Sequence, residues 1–389
     1  MTITPKTALP IYLDRTFPAS MVSDIARMLE QSGVVDFGVS CDQLNGFFPR
    51  QLWKPEITPM AALMQDNDSF ADAFILAALA TAATERLGVL ITHDAIRKGP
   101  AELVQTMLTV AGLTEAESIL LLGAGEVKQT RPYGYDRSNG LDRLEDTLAL
   151  WNRLLDCDGP FDFQGKTITF KDAYIGTTRP HRPKIWVLGA GRRLLSMGAR
   201  HADGWFTAEP FAGHTPEEFA DEVRSIRQLV EQAGRDPDKF DFGIGMSFVC
   251  HEDPSVIETV LQNPLIRHLA GVWGRFDQRK WAREGVTALF PPDWHYALRY
   301  VPTELSDAEV ERVLNGVTPD MVRKSYFTGD PASIAHQCNE YVDAGATHIA
   351  LYNLCDIIGS PEQMFDGVNR SLSICRMLKE TASVSNPST

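Results

Sequence analysis

Two short apolar segments that each end in a pair of glycines constrain the possible folds of this chain more than any other feature. Residues 118–122 run directly into Gly123-Ala124-Gly125-Glu126, and residues 185–188 run into Gly189-Ala190-Gly191-Arg192. The first pattern predicts a buried strand whose end presents a carboxylate, as at the C-terminal face of a parallel β/α barrel. The second predicts a strand that leads into a helix, whose free N-terminal N–H groups can hold a phosphate. Together they favour a barrel that binds a phosphate-bearing cofactor at its strand ends.

Signals for strands and helices alternate along the chain about eight times. Compact apolar runs predict strands at residues 11–13, 34–39, 87–92, 119–122, 185–188, 204–207, 242–249 and 348–352. Helical spacing of apolar residues predicts helices at residues 19–31, 69–85, 100–111, 141–155, 216–233, 306–314, 331–344 and 361–378. Because a closed barrel needs eight such units, we predict an α/β fold, a (β/α)8 TIM barrel. We expect one domain over residues 1–380 and a disordered tail over residues 381–389.

Two segments interrupt the alternation and predict insertions at about residues 157–180 and 253–324. The first has two β-rich runs around Gln164-Gly165-Lys166, which is a hairpin signal. The second is too long for a single connection and is rich in aromatic residues, namely Trp273, Trp281, Trp294, Tyr296 and Tyr300. Such an insertion forms either a lid or substrate wall, or an extra helical layer or dimer contact. The sequence leaves both possibilities open.

The charge balance excludes some classes of partner. The formal net charge is −14 and the pI is about 5.1, whereas nucleic acids and anionic membrane surfaces bind basic patches. The N-terminus lacks the pattern of a signal peptide, and no segment approaches the ~20 apolar residues of a membrane span. We therefore expect a cytoplasmic protein. Its six cysteines are scattered without a C-x-x-C pair, so we expect neither a metal site nor a disulfide framework.

Several motifs together resemble the luciferase-like superfamily of flavin and deazaflavin oxidoreductases over nearly the whole chain. They are Asp42-Gln43-Leu44-Asn45, Glu85-Arg86-Leu87-Gly88, Gly123-Ala124-Gly125-Glu126, Ile185-Trp186-Val187 with Gly189-Ala190-Gly191, Ala202-Asp203-Gly204-Trp205, Thr328-Gly329-Asp330-Pro331 and Tyr341-Val342-Asp343-Ala344-Gly345. The first motif, followed by Pro49-Arg50, is most similar to the phthiodiolone ketoreductase branch, which is regarded as using coenzyme F420. The resemblance implies a luciferase-like barrel and an F420-dependent oxidoreductase. We also expect a homodimer.

The resemblance implies where the tricyclic ring of the cofactor lies. It implies a cis peptide bond in a bulge of the third strand at Leu90-Ile91, with Thr92 also in contact with the cofactor. The residues alone favour an ordinary barrel core at Leu90 and Ile91, and it is the resemblance that favours the bulge. Gly123-Ala124-Gly125 would let the backbone approach the ring, because glycine has no Cβ, although a glycine pair after a strand is often only a turn.

The second glycine motif is the expected phosphate site. Gly189, Ala190, Gly191 and Arg192 would hold the cofactor phosphate through backbone N–H groups and a guanidinium charge. The alternative is a plain turn between a strand and a helix.

Four residues at strand ends are candidates for the chemistry: Glu126, Asp42, Gln43 and His93. We expect Glu126 to be a desolvated carboxyl that is protonated near neutral pH and donates to a carbonyl oxygen. Its alternative role is a helix N-cap or a surface charge. Asp42 lies where the family places an acid near the ring, or it caps a turn. His93 lies near the ring edge, or it is a structural histidine.

Gln43 departs from related deazaflavin enzymes, which usually carry histidine at this position. Glutamine hydrogen-bonds through both ends of its amide but does not titrate. A proton role must therefore be absent or supplied elsewhere, and Glu126, His93 and Asp14 are candidates by position.

Two classes of enzyme and one binding protein fit these features. The first is a reductase or dehydrogenase that passes a hydride between F420 and a carbonyl or carbinol carbon. The second is an FMN-dependent, two-component monooxygenase on the same fold, and the third is a cofactor-free barrel that only binds. Phe47, Phe48, Trp53 and the aromatic insertion predict an apolar mouth, and hence a hydrophobic ketone or secondary alcohol as substrate.

Overall fold

The computed structural model describes residues 4–11, 15–179, 181–209 and 213–384. Its strands are β1 (Lys6–Pro10), β2 (Phe37–Cys41), β3 (Gly88–Asp94), β4 (Ser118–Gly123), β5 (Phe161–Gln164), β6 (Thr169–Ala173), β7 (Lys184–Leu188), β8 (Gly204–Ala208), β9 (Asp241–Cys250), β10 (Phe327–Gly329) and β11 (His348–Asn353). Its α-helices are α1 (Met21–Gln31), α2 (Ala73–Ala82), α3 (Pro100–Ala111), α4 (Val127–Thr130), α5 (Gly140–Asp156), α6 (Arg192–His201), α7 (Pro216–Gln232), α8 (Pro254–Gln262), α9 (Pro264–Trp273), α10 (Arg279–Arg283), α11 (Tyr296–Arg299), α12 (Asp307–Gly316), α13 (Pro319–Ser325), α14 (Pro331–Asp343), α15 (Cys355–Ile358) and α16 (Pro361–Val384).

Eight of the strands form a closed parallel barrel, which confirms the predicted fold class. Their order is β1-β2-β3-β4-β7-β8-β9-β11, and β11 pairs with β1 to close the ring. The short β10 adds to the C-terminal end of β9. A strand such as β4 is buried on both faces because helices cover its outside and side chains fill the barrel inside. Its unbroken apolar sequence follows from that double burial.

Large and small residues complement each other inside the barrel. Trp186 and Phe206 are buried there with aliphatic residues of neighbouring strands. A Cβ atom at Gly204 would lie 2.7 Å from the Trp186 ring, and one at Gly243 would lie 2.6 Å from the Phe206 ring. The two glycines therefore make room for the two rings, and this part of the barrel is a packed core rather than a channel.

The two segments outside the β/α alternation fold in different ways. β5 and β6 form an antiparallel hairpin, and the Asp146 carboxylate of α5 accepts hydrogen bonds from the backbone N–H groups of residues 166–168. Residues 253–324 contain α8 to α13, which share a second apolar core with Trp281, Tyr296 and Tyr300 inside it. The aromatic residues of this segment therefore build an extra helical layer.

Element boundaries differ from the prediction at both ends of the chain. The first strand is Lys6–Pro10 rather than residues 11–13, of which 12 and 13 lie outside the described residues. At the other end α16 continues to Val384, so residues 381–384 are helical and the prediction of a disordered tail from residue 381 is wrong there. The Thr381 hydroxyl donates to the Met377 carbonyl at 2.9 Å within that last turn. Residues 385–389 lie outside the described residues. Across the described ranges, the helices include none with the length and apolar character needed to cross a membrane.

Candidate active site

The C-terminal end of the barrel interior forms an uncharged floor. Cys41, Leu188 and Tyr352 pack on the interior core and are only partly buried. The alternation of β3 places Thr92 on the same side. Removal from water raises the pKa of the Cys41 thiol to about 11, so the thiol is neutral. Such a floor suits one face of a flat aromatic ring.

Asp42, directly after β2, lies in a network of charged groups. His93 Nδ1 is 2.5 Å from Asp42 Oδ2, and an Arg97 guanidinium nitrogen is 3.1 Å from the same oxygen. Arg97 also pairs with Asp94 and donates to the Asp42 carbonyl at 3.1 Å. Burial alone would raise the pKa of Asp42, but the hydrogen bond with His93 and the charge of Arg97 lower it below its usual value. Asp42 is therefore ionised and fixed in one orientation.

The structure corrects the expectation for the third strand. β3 pairs in continuous register with both neighbours, and the described residues contain no cis peptide bond, so the bulge and cis peptide expected at Leu90-Ile91 are absent. Leu90 faces the barrel interior, whereas Ile91 packs in the outer core under the helices, and both are fully buried. They are ordinary core residues, and Ile91 is turned away from the barrel axis.

His93 shares the outward orientation of Ile91, because side chains alternate along a strand. Its ring packs edge-on against Phe74 of α2, with 5.3 Å between ring centroids. His93 Nε2 is buried without a hydrogen-bond partner. His93 therefore contacts Asp42 and the helix layer, rather than facing the floor as a residue at the ring edge would.

The loop after β4 is shaped by its glycines. Gly125 has a φ of +89°, a conformation that favours glycine, and a Cβ atom there would lie 2.7 Å from the flexible end of the Ile96 side chain. A Cβ at Gly123 would lie 3.5 Å from the Leu188 carbonyl oxygen at the end of β7. Gly123, Ala124 and Gly125 are all partly exposed. The loop thus lies between the ends of β3 and β7 and delivers Glu126 to the start of α4.

Glu126 is not the isolated, desolvated carboxyl that the sequence led us to expect. Its side chain is 30% exposed and lies 3.3 Å from the ammonium nitrogen of Lys128, whose side chain is 1% exposed. Lys128 Nζ also donates to the Asn45 carbonyl at 3.0 Å. Gln129 also binds the loop after β2. Its Oε1 accepts a hydrogen bond from Leu44 N at 2.6 Å, and its Nε2 donates to the Asn45 carbonyl at 2.8 Å. The loops after β2 and β4 are therefore tied together.

Gln43 borders a cavity of about 360 Å³ with both polar and apolar walls. Its walls come from loops near β1 and β2, the turn after α4 and the helical insertion, and they carry both signs of charge: Arg15, Gln43, Leu44, Asn45, Arg50, Asp66, Asp68, Phe70, Pro132, Tyr133 and Thr303. The aromatic residues expected to make the mouth apolar lie elsewhere. Phe47, Phe48 and Trp53 pack into the second core, where the ring of Phe47 lies 5.5 Å from that of Trp273. Polar and apolar groups together thus form the walls at this position, and the apolar mouth stays a prediction.

The loop after β7 has the features of an anion site. Gly189 and Gly191 have φ values of +128° and +101°, which other residues rarely adopt. Ala190, Gly191 and Arg192 are exposed, and nothing lies within 4 Å of the position of a Cβ atom at Gly191. α6 begins at Arg192, so the N–H groups of its first turn lack intrahelical partners. These residues suit a phosphate group.

Sequence reasoning missed several groups near the site. Lys128 and Arg97 were not candidates, although both follow strand ends within a few residues of predicted ones. Glu209, directly after β8, is a third residue that the sequence did not indicate. Burial raises the pKa of its carboxyl to about 8, and its Oε2 atom is buried without a hydrogen-bond partner. Asp14, a predicted candidate, lies outside the described residues.

Comparison with protein families places this barrel among known proteins. The family model described as luciferase-like monooxygenase matches residues 22–348. The chain belongs to the luciferase-like monooxygenase family. This confirms the resemblance inferred from the motifs, and it agrees with a closed eight-stranded barrel.

Individual relatives of this luciferase-like protein include a ketoreductase and a dehydrogenase. A phthiodiolone/phenolphthiodiolone dimycocerosates ketoreductase of Mycobacterium kansasii is 28% identical over 330 residues, which are 80% of this chain and 85% of that protein. An F420-dependent glucose-6-phosphate dehydrogenase of Kineococcus radiotolerans is 23% identical over 273 residues, 69% of this chain and 72% of that protein. The predicted likeness to the ketoreductase branch is confirmed.

A solved structure agrees with the fold over nearly the full length. It is an F420-dependent secondary alcohol dehydrogenase in complex with an F420–acetone adduct, with a TM-score of 0.68 and 18% identity over 97% of this chain and 99% of that one. At this identity the likeness concerns the fold.

Proposed function

We propose that the protein is an F420-dependent oxidoreductase that transfers a hydride between coenzyme F420 and a ketone or secondary alcohol. The observation that carries this proposal is the similarity to the ketoreductase, which extends over 80% of the chain. The dehydrogenase relative adds the cofactor, because its name states F420 dependence. Fold alone would not suffice, since one fold hosts many reactions.

The residues at the barrel mouth fit this cofactor. The uncharged floor of Cys41, Thr92, Leu188 and Tyr352 suits the tricyclic ring, and the exposed Gly189-Ala190-Gly191-Arg192 loop suits the phosphate. When bound, F420 supplies the atom that donates or accepts the hydride. Leu90 and Ile91 are fully buried in the core and take no part in this assignment.

The chain's own residues then have distinct tasks. We assign proton transfer to Glu126, which is partly exposed after β4 and lies on the loop beside the floor. We assign substrate orientation to Gln43, which borders the cavity and offers neutral hydrogen bonds. Asp42 is ionised and held by His93, so in this proposal both position the loop after β2 instead of donating protons.

The proposed substrate is a hydrophobic ketone or secondary alcohol. The name of the ketoreductase relative supports this class. The cavity beside Gln43 has polar and apolar walls, so we assign the polar wall that contains Gln43 to the oxygen-bearing part of the substrate.

The alternative function is an FMN-dependent, two-component monooxygenase. The observation that favours it is the description of the family model, which names monooxygenases. Both functions would use the same end of the barrel, because both cofactors carry a tricyclic ring and a phosphate.

A binding titration distinguishes these functions. Purified protein is titrated into oxidised F420 while the fluorescence of the cofactor is followed, and in parallel into FMN. We expect a saturable change of F420 fluorescence and a much weaker response of FMN. Binding of FMN alone would favour the monooxygenase, and binding of neither would favour a cofactor-free barrel.

A further inference from the structure

Lys128 is an unusual residue because its ammonium group is fully buried beside the candidate acid. The residue is 0% exposed. Its Nζ lies 3.0 Å from the Asn45 carbonyl oxygen, 3.3 Å from Glu126 Oε2 and 4.0 Å from the centre of the Phe47 ring. These three contacts belong to the loop after β2 and to the start of α4.

Burial of a lysine at this position has an energetic cost that its contacts must offset. Burial lowers the pKa of Lys128, and the nearby Glu126 carboxylate partly opposes that effect. An ammonium without partners in such a place would be several kcal/mol unfavourable, by the usual order of magnitude for a buried ion. An apolar residue would fill the same space without that cost. The charge itself therefore has a use beyond packing.

The other charged and titratable groups around the pair are already engaged or neutral. Asp68 is 3.4 Å from Arg50, Arg97 pairs with Asp42 and Asp94, and Arg137 donates to the Gly125 carbonyl at 2.5 Å. Burial raises the pKa of the Tyr296 phenol well above its usual value and that of the Cys41 thiol to about 11, so both are neutral. Lys128 is thus the cation in direct contact with Glu126 among the described residues.

We propose that Lys128 is a positioning residue for Glu126: its buried ammonium orients the Glu126 carboxylate and joins it to the loop that carries Gln43. The inference rests on the proposed function only for the meaning of Glu126 in catalysis. Because the amide of Gln43 is not an acid or a base, the orientation of the Glu126 carboxylate decides whether a proton can be exchanged with the substrate oxygen.

The carbon NMR signal of the Glu126 carboxyl group tests this directly, without cofactor or turnover. It is followed at pH 7 in the full chain, and it is identified by its loss in Glu126→Gln. In Lys128→Met, which keeps length but removes charge, we expect the signal to change position and to broaden, because the carboxylate loses the ammonium that holds it in one orientation. Lys128→Gln, which keeps a donor for the Asn45 carbonyl, should show the same change.

Kinetics and a matched control complete the test. Lys184 is a partly buried lysine that forms ion pairs as well, 2.6 Å from Glu117 and 3.0 Å from Asp241. It begins β7 and therefore lies at the end of the barrel opposite the candidate site. Lys184→Met should destabilise the protein without changing the Glu126 signal. In Lys128→Met we expect kcat to fall while KM changes little, and Lys128→Met should cause no further loss of kcat in a protein that already carries Glu126→Gln.

The outcomes separate this inference from the proposed function. A Glu126 signal that keeps its wild-type position and width in a folded Lys128 variant, Met or Gln, overturns the positioning role even if F420 turnover is observed. A changed signal in a protein that binds no F420 supports the pairing and contradicts the proposed function. If neither variant folds, Lys128 is a folding requirement and the positioning proposal is rejected.

Discussion

At the scale of the residue, the charged groups near the mouth are paired before any ligand binds. Asp42 contacts His93 and Arg97, and Glu126 contacts Lys128. Fixed charges of this kind need no rearrangement when charge develops on a substrate, which is the main advantage of a preorganised site. This pairing has a cost in folding free energy, because His93, Arg97 and Lys128 are almost fully removed from water.

Replacement of Arg97 by methionine should lower the stability of the fold. Arg97 and Asp94 are each 7% exposed and Asp42 is 14% exposed, so Arg97→Met leaves two buried carboxylates without their cation. We expect a loss of about 3–5 kcal/mol in the free energy of unfolding at pH 7, measured by urea denaturation. The folded-state pKa of Asp42 is lowered, so its stabilisation is present at neutral pH and is lost as the pH falls below about 3.9 through that lowered value.

The pH dependence and a control variant make this prediction specific. The difference between wild type and Arg97→Met should shrink as the pH falls from 7 towards 3. Arg27→Met removes an exposed ion pair with Asp24 on α1 and should cost no more than about 1 kcal/mol at either pH. Equal losses in the two variants would refute a buried role for Arg97.

Gln43 provides the second test at this scale. If it orients the substrate oxygen by neutral hydrogen bonds, Gln43→Ala should lower turnover about tenfold, the value of one hydrogen bond, and leave the pH profile unchanged. Gln43→His should add a titration near pH 6.5, displaced by its surroundings. Single-turnover cofactor reduction across pH measures both. If alanine changes nothing and histidine adds no titration, Gln43 lies outside the chemistry.

Sequence reasoning succeeded for some of these residues and failed for others. Asp42 and Glu126 were found because each directly follows an apolar strand, where parallel barrels place functional groups. Lys128 was missed because its burial depends on contacts with Asn45 and Phe47, more than 80 positions away, and a lysine in a short helix otherwise reads as surface. The outward orientation of His93 follows from strand alternation, but only once the limits of β3 are known.

At the scale of the element, strand ends that stop in glycine were the best predictors. β4 and β7 lie within one or two residues of their predicted limits. Each has a buried apolar centre and ends at or next to a glycine. β1 was displaced because Lys6-Thr7-Ala8 is barely apolar, and its pairing with β2 and β11 decides the strand. The bulge in β3 was carried over from a resemblance and has no counterpart in the ladder.

The loop between β7 and α6 gives a prediction about an element as a whole. Gly191→Ala should weaken F420 binding about tenfold, or 1.4 kcal/mol, because a Cβ would occupy the open space in front of the N–H groups of α6. Gly234→Ala is the control, since Gly234 also has a positive φ, +73°, and open space around it, but it follows α7. Both should lower the melting temperature modestly. Equal cofactor affinity in the two variants would remove the phosphate assignment.

At the scale of the whole molecule, a barrel core and a second apolar core meet at the candidate site. Phe47 packs in the second core while its neighbour Asn45 is held by α4 of the barrel, so the helical insertion and the strand ends share one loop. The composition did not predict this arrangement, because aromatic residues serve packing and ligand contact equally well. The expected homodimer stays a prediction, which sedimentation of the purified protein would test.

The most direct test of the central claim is anaerobic turnover. The protein is mixed with oxidised F420 and a deuterated secondary alcohol, and the reduced cofactor is examined for deuterium by mass spectrometry. We predict one deuterium in the reduced cofactor for each alcohol oxidised, without any need for oxygen, and a loss of turnover of about 10²–10⁴-fold in Glu126→Gln. Failure to reduce F420, together with oxygen-dependent oxidation of substrate in the presence of reduced FMN, would contradict the proposed hydride transfer to F420.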